Sequence, residues 1–265
     1  MTNTRANRII ATPRARRALR LQGVDPRTLS GSGPGGRIVE ADVARAGPAL
    51  SPMRRAIARR TAESFATVPH FYLRAELDAT ALLARRQELL EQITGARVTV
   101  TDLLVQAVAR ALRDCPFANC IWQNETIVKL PTNDVGVVVG LDDGLLIPII
   151  RNADNLDVAA LTKQRAELVA AARAGRLPGE ATAGGATSIS NLGTSRVDEF
   201  QAVIAAPQSS MLAVGRIAER PFVVAGQLAV RPTLRLCLSV DHRVLDGGPA
   251  AEFLGRIVET LEGNL

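Results

Sequence analysis

The densest chemistry in this 265-residue chain lies near its C-terminus, in Ser239-Val240-Asp241-His242-Arg243-Val244-Leu245-Asp246-Gly247. The chain has two histidines, and His242 stands inside this run between Asp241, Arg243 and Asp246. Histidine is the side chain best suited to take and return a proton near neutral pH. A carboxylate held beside it can fix the imidazole tautomer and support the charge it gains. A second stretch, Thr187-Ser188-Ile189-Ser190-Asn191-Leu192-Gly193, alternates hydroxyls with apolar residues. On a strand that spacing puts Ser188 and Ser190 on one face, where a hydroxyl could donate to a developing oxyanion. The other histidine, His70, sits beside Phe71 and Tyr72 in an alternating segment and reads as a packed structural ring.

Elements must position these groups. Leu234, Leu236 and Leu238 predict a strand entering the His242 run, and a last helix is expected from about Gly248 to Leu261. Thr12-Pro13 starts a helix that Gly23 ends, and a glycine-rich loop over 31–38 leads to a short second helix near Val39–Arg45. Helices are predicted from Met53 to about Ala66, Asp78 to about Ile93, Thr101-Asp102 to Asp114, and Asp157 to Ala174. Strands are predicted over 70–77, and over 134–141 and 145–150 as a hairpin turning at Asp142-Asp143-Gly144. The text from Ala186 to Val240 is strand-like. Helices and strands mixed without regular alternation predict an α+β fold rather than a doubly wound nucleotide fold. The expected organisation is a flexible N-terminus over 1–10, a small helical module over 11–46, a linker over 47–52 and a large domain over 53–265.

Charge separates the same parts. Residues 1–60 carry thirteen arginines against Asp25, Glu40 and Asp42, a net of +10, so the remainder of this +6 chain is −4. Such a basic module suits an acidic partner surface. No aromatic residue interleaves these arginines, which argues against nucleic acid. No apolar run approaches the roughly 20 residues of a membrane-spanning helix, and the arginine-rich start lacks the apolar core of a secretory signal. Three cysteines make no disulfide framework, and the expected setting is the cytoplasm. No metal site is expected.

The Ser-x-Asp-His-Arg-x-x-Asp-Gly run is similar to the signature of the dihydrolipoamide acyltransferases, the core components of 2-oxo acid dehydrogenase complexes. So are Val68-Pro69-His70-Phe71-Tyr72-Leu73, Thr99-Val100-Thr101-Asp102-Leu103-Leu104, Asp142-Asp143-Gly144-Leu145-Leu146-Ile147-Pro148 and Ser188-Ile189-Ser190-Asn191-Leu192-Gly193. The likeness covers about Ser51 to Leu265. It implies a chloramphenicol acetyltransferase-like mixed sheet layered with helices. Thr12-Pro13, Arg16, Gly23-Val24-Asp25, the loop 31–38 and Asp42-Val43 resemble the family's peripheral subunit-binding domain. A dinucleotide loop is excluded there because no strand precedes the glycines.

The resemblance implies roles. His242 would be the general base, Ser190 the oxyanion donor and Asp246 a support of the base, with Asp241 and Arg243 holding the loop. Histidine and serine would come from neighbouring subunits of a homotrimer or larger homo-oligomer. Acetyl-CoA would be the acyl donor, with Arg54, Arg59 and Arg60 as candidates for its phosphates. The module over 11–46 would hold a partner enzyme or carrier. Neither lysine, Lys129 or Lys163, stands in the Asp-Lys context of a lipoylation turn, so no covalent lipoyl group is expected on this chain. Thr194-Ser195-Arg196 and Ala205-Ala206-Pro207 depart from the family pattern. On those grounds the expected acceptor is a small-molecule hydroxyl in a tetronate-type natural-product route. The alternatives are a dihydrolipoamide acyltransferase served by a lipoyl domain in trans, and an inactive scaffold recruiting partners.

Overall fold

Thr12 opens the first helix. Its hydroxyl accepts from Ala15 N–H, Pro13 takes the first turn, and Gly23, at φ 63°, closes helix α1 (Pro13–Gln22) by donating to Leu19. Two 3₁₀ turns, Pro26–Thr28 and Pro34–Gly36, lead to α2 (Glu40–Ala46). Ala11, Ala15, Leu19, Ile38 and Val43 form the small core of this unit. Five side chains make a marginal core, and buried Asp42 supplements it. Its carboxylate accepts from Ser32 N–H (2.9 Å), Ser32 Oγ (2.6 Å) and Val39 N–H (2.9 Å), and pairs with Arg45. The Ser32 hydroxyl first, then the two backbone donors, hold its pKa well below the usual carboxylate range. These bonds tie the glycine-rich loop to α2. Within the loop, a Cβ at Gly31 would meet the Gly36 carbonyl at 2.3 Å, so the glycine answers a close backbone approach.

The computed structural model describes residues 9–47 and 50–263, which fall into two units, 1–55 and 56–265. Most of the expected flexible start and part of the expected linker, residues 1–8 and 48–49, lie outside the described residues. Chain order continues with α3 (Pro52–Thr67), β1 (His70–Asp78), α4 (Thr80–Gln92) and α5 (Val100–Asp114). The strands β2 (Cys120–Gln123), β3 (Thr126–Lys129), β4 (Val135–Val137), β5 (Val139–Leu141), β6 (Gly144–Leu146) and β7 (Ile149–Ile150) follow, then α6 (Val158–Arg173). The last elements are β8 (Thr187–Asn191), β9 (Ser210–Val214), β10 (Ala218–Val224), β11 (Gln227–Asp241) and α7 (Gly247–Gly263).

One mixed sheet organises the larger unit, in the order β1-β11-β9-β8-β4-β7, with β10 paired to β11. Strand β8 runs parallel to both neighbours, β9 and β4; the other pairs are antiparallel. Alternation sorts the two faces. Leu234, Leu236, Leu238 and Val240 of β11, Leu212 of β9 and Ile189 of β8 pack into the core with side chains of α4, α5 and α7, including Leu82, Leu104 and Phe253. Tyr72, Ser239, Met211 and Ser188 form a row on the reverse face. The 192–209 segment joins the parallel strands β8 and β9 without regular structure and lies against that face. Ser239 Oγ donates to Ala202 O (2.7 Å), and Ser64 Oγ donates to Ile204 O (2.6 Å).

Three expectations change. The cap of α5 is Thr99, two residues before the expected position, because Asp102 reaches back to Thr99 N–H and Oγ. The expected hairpin over 134–150 breaks at Val138: β4 pairs with β7 in the main sheet, while β5 and β6 form a separate ribbon. The 192–209 stretch, read as strand-like, is a strap over the sheet. The β2–β3 ribbon had no signal strong enough to be read.

Candidate active site

His242 lies in the turn between β11 and α7. Strand β11, paired on both sides by β1 and β9, ends at Asp241, which is fully buried. The Asp241 carbonyl then accepts from Val244 N–H (2.9 Å) and Leu245 N–H (3.1 Å), which closes the turn. Asp241 N–H donates to Ser209 O (2.8 Å), and His242 N–H to Pro69 O (3.1 Å). The His242 backbone is thereby fixed to the start of β1. Its imidazole rests edge-on against Phe71, with centroids 5.1 Å apart and planes at 74°. The ring is 47% exposed, so it has an apolar wall on one side and an open side available to a reactant.

The two carboxylates of the turn have different partners. Asp241 is clasped by Arg243 through Nε (2.9 Å) and a terminal guanidinium nitrogen (2.7 Å), a bidentate pair that fixes the turn. The paired Asp241 holds the Arg243 pKa above its ordinary value. The guanidinium also stacks 5.0 Å over the Trp122 ring. Trp122, the only tryptophan in the chain, was missed by sequence reasoning; its rarity was the one signal available. Asp246 approaches His242 Nδ1 at 3.7 Å, longer than a hydrogen bond, and is 84% exposed.

Ser190 lies elsewhere. It pairs with Ala213 of β9, which in turn pairs with Cys237 of β11, five residues short of His242. That offset corresponds to roughly 16 Å along the strands, with β9 interposed for roughly another 10 Å across them. The faces differ as well. Ile189 points to the helices, so Ser190 points away from them. Phe71 shares a row with helix-facing Val240, so the His242 ring lies on the helix side. One chain therefore does not bring Ser190 and His242 together.

The remaining candidates are placed as follows. Arg54, Arg59 and Arg60 are exposed on α3, and no hydrogen bond or ion pair joins Arg59 or Arg60 to the His242 turn. His70 has both ring nitrogens engaged by backbone, Nδ1 with Val68 O (2.8 Å) and Nε2 with Ile204 N–H (3.1 Å). Accepting from Ile204 requires Nε2 unprotonated, so Nδ1 carries the proton and donates to Val68. Among the described residues no cluster of three metal-ligating side chains occurs, and no helix is long and apolar enough to cross a membrane.

The family model for the 2-oxoacid dehydrogenases acyltransferase (catalytic domain) matches residues 46–265. The chain belongs to this acyltransferase family. A second match, to the e3 binding domain, covers residues 9–44. The dihydrolipoyllysine-residue acetyltransferase component of the pyruvate dehydrogenase complex from Zymomonas mobilis is 35% identical over 97% of this chain and 66% of that protein. Its counterpart from Rickettsia felis is 34% identical over 97% of this chain and 68% of that protein. The acyltransferase chain thus spans about two thirds of the length of these relatives. The solved dihydrolipoamide acetyltransferase of Azotobacter vinelandii superposes with a TM-score of 0.77 at 30% identity, over 83% of this chain and 94% of that one. The cubic core of a pyruvate dehydrogenase multienzyme complex superposes equally well, with a TM-score of 0.77 at 31% identity and the same coverages, 83% and 94%. A chloramphenicol acetyltransferase shares the fold alone, with a TM-score of 0.50 at 13% identity over 76% of this chain and 94% of that one.

These relatives correct the expected acceptor. They are dihydrolipoyl acetyltransferases of dehydrogenase complexes, which overturns the reading of a natural-product O-acetyltransferase acting on a tetronate-type hydroxyl. The departure that favoured it has a local explanation. Gly193 to Arg196 forms an exposed turn closed on itself: Ser195 N–H and Oγ both donate to Leu192 O, and Val197 N–H donates to Ser195 Oγ. Substitutions in such a turn answer to the turn's own hydrogen bonds.

Proposed function

We propose that this chain is a dihydrolipoyl acyltransferase of a 2-oxoacid dehydrogenase complex, moving an acetyl group between coenzyme A and a dihydrolipoyl thiol. The site lies between two copies of a homotrimer or larger assembly: His242 of one copy faces Ser190 of the next. The observation that carries this reading is a shared spacing. In the Azotobacter vinelandii acetyltransferase the serine, histidine and asparagine investigated for catalysis stand with the serine 52 residues before the histidine and the asparagine four after it. Here Ser190 stands 52 residues before His242, and Asp246 stands four after it.

The chemistry follows from the groups. The half-exposed imidazole accepts the proton of the attacking thiol as its sulfur adds to the thioester carbonyl. Charge builds on the carbonyl oxygen, and the Ser190 hydroxyl, donated from the neighbouring copy, stabilises it. Collapse expels the other thiolate, which recovers the proton from the imidazolium. Loss of one such oxyanion donor costs about 3–4 kcal/mol, a hundred- to thousandfold in rate. The arginine-rich unit matched by the e3 binding domain docks a partner enzyme through its net positive charge.

The test is acetyl transfer from acetyl-CoA to dihydrolipoamide, read as free CoA and S-acetyldihydrolipoamide. His242→Ala is expected to abolish transfer with oligomer size unchanged. Wild-type protein that forms no acetylated dihydrolipoamide, or a His242→Ala variant that keeps its rate, overturns the proposal.

A further inference from the structure

Ser190 Oγ makes no hydrogen bond among the described residues, so its position is set by the backbone alone. That backbone loses a neighbour at this point. Strand β4 pairs with β8 only as far as Val137 opposite Ile189, and the last bond from that side is Val138 N–H to Ile189 O (2.9 Å). From Ser190 onward β8 is held on one edge only, by β9.

The side chain of Asn191 replaces the missing support. Its Nδ2 donates to Thr101 Oγ (3.1 Å) at the start of α5, and its Oδ1 accepts from Gly193 N–H (2.7 Å). Thr101 is itself rigidly placed. Buried Asp102 accepts from Thr99 N–H and Oγ (2.7 Å each) and from Arg165 Nε of α6 (2.5 Å). Gly193 leaves the room this needs: a Cβ there would meet Asn191 Oδ1 at 2.9 Å. Two motifs ninety residues apart in sequence, around Thr101 and around Ser190, therefore form one mechanical unit.

We infer that Asn191 is the positioning residue of the oxyanion donor, anchoring the free end of β8 to α5 so that the Ser190 hydroxyl is held where it must donate. The inference rests on the proposed role of Ser190. A donor that acts only on the transition state affects kcat and leaves KM alone. Asn191→Ala is expected to lower kcat about tenfold to a hundredfold, since displacement of a catalytic group by about 1 Å costs up to that much. KM for acetyl-CoA and for dihydrolipoamide stays within about twofold. Thr101→Val breaks the same tether from the other side and lowers kcat in the same way. Asn191→Asp keeps both contacts, because a carboxylate accepts from Gly193 N–H and from the Thr101 hydroxyl, so kcat returns to within about threefold of wild type.

The double variant Ser190→Ala/Asn191→Ala separates the two ideas. If Asn191 acts through Ser190, the double variant is no slower than Ser190→Ala. A double variant slowed by the product of the single effects, or an Asn191→Ala variant at the wild-type rate, overturns the inference and leaves the oxyanion role of Ser190 standing. A Ser190→Ala variant at full rate overturns that role, and the inference with it.

Discussion

Asp246 sits too far from the imidazole to bond it and too open to water to act strongly on it. At 3.7 Å and with most of its surface solvated, its attraction for a protonated His242 is of the order of 1 kcal/mol, as for other exposed pairs. Asp246→Asn is accordingly expected to keep kcat within about tenfold of wild type, a factor that corresponds to roughly 1.4 kcal/mol. The Azotobacter vinelandii protein, which carries an asparagine four residues after its histidine, supports that expectation. Steady-state transfer to dihydrolipoamide measures it, and a loss beyond a hundredfold would make the negative charge itself indispensable. At this scale the sequence was informative where chemistry is concentrated. Asp241, His242, Arg243 and Asp246 stand within six positions and cannot avoid each other. Trp122 and Asn191 act through contacts that cross 121 and 90 positions, and no local pattern announces those.

Elements defined by caps and alternation were legible for a physical reason: the signals are short-range. Thr12 and Gly23 bound α1 by bonds that span three and four residues, with Pro13 in the first turn, and Leu234 to Val240 alternate because one face of β11 meets the helices. The strap over 192–209 was not legible, since its order comes from partners far away in sequence. One of its anchors is titratable. Asp198 accepts from Arg216 Nε (2.6 Å) and Arg220 (2.7 Å), and those bonds lower its pKa to about 2. Gly215 packs so closely there that a Cβ would meet the Asp198 carbonyl at 1.9 Å. A carboxylate with a depressed folded pKa contributes stability above its unfolded pKa, near 3.8, and loses it as pH falls through the folded value. The melting temperature of wild-type protein is therefore expected to exceed that of Asp198→Asn at pH 5 by a small margin, because the pair is largely solvated. The margin closes as pH falls from about 4 to about 2. Thermal melts of both proteins across that range check it, and a margin independent of pH would remove Asp198 as the titrating anchor.

At the scale of the whole molecule, the sheet keeps Ser190 and His242 on opposite faces and toward opposite ends, so under the proposed function a single copy carries two halves of different sites. On that proposal, a variant lacking either half is expected to be inactive for a reason its neighbour can repair. Mixed under conditions that exchange subunits, Ser190→Ala and His242→Ala proteins place an intact serine against an intact histidine wherever the two kinds meet in the right order. For random mixing in equal amounts, about one site in four regains both groups, as follows from a heterologous contact in a closed ring. The expected outcome is recovery to about a quarter of wild-type activity after exchange, from two preparations each at least a hundredfold down. Each preparation taken alone through the same exchange shows no gain. Recovery that appears without exchange would mean that the activity does not come from mixed contacts, and none after exchange is confirmed by mass-tagged subunits would mean that the serine and histidine serve one and the same chain. The sheet register, with Ser190 level with Cys237 and β9 between their strands, forbids that.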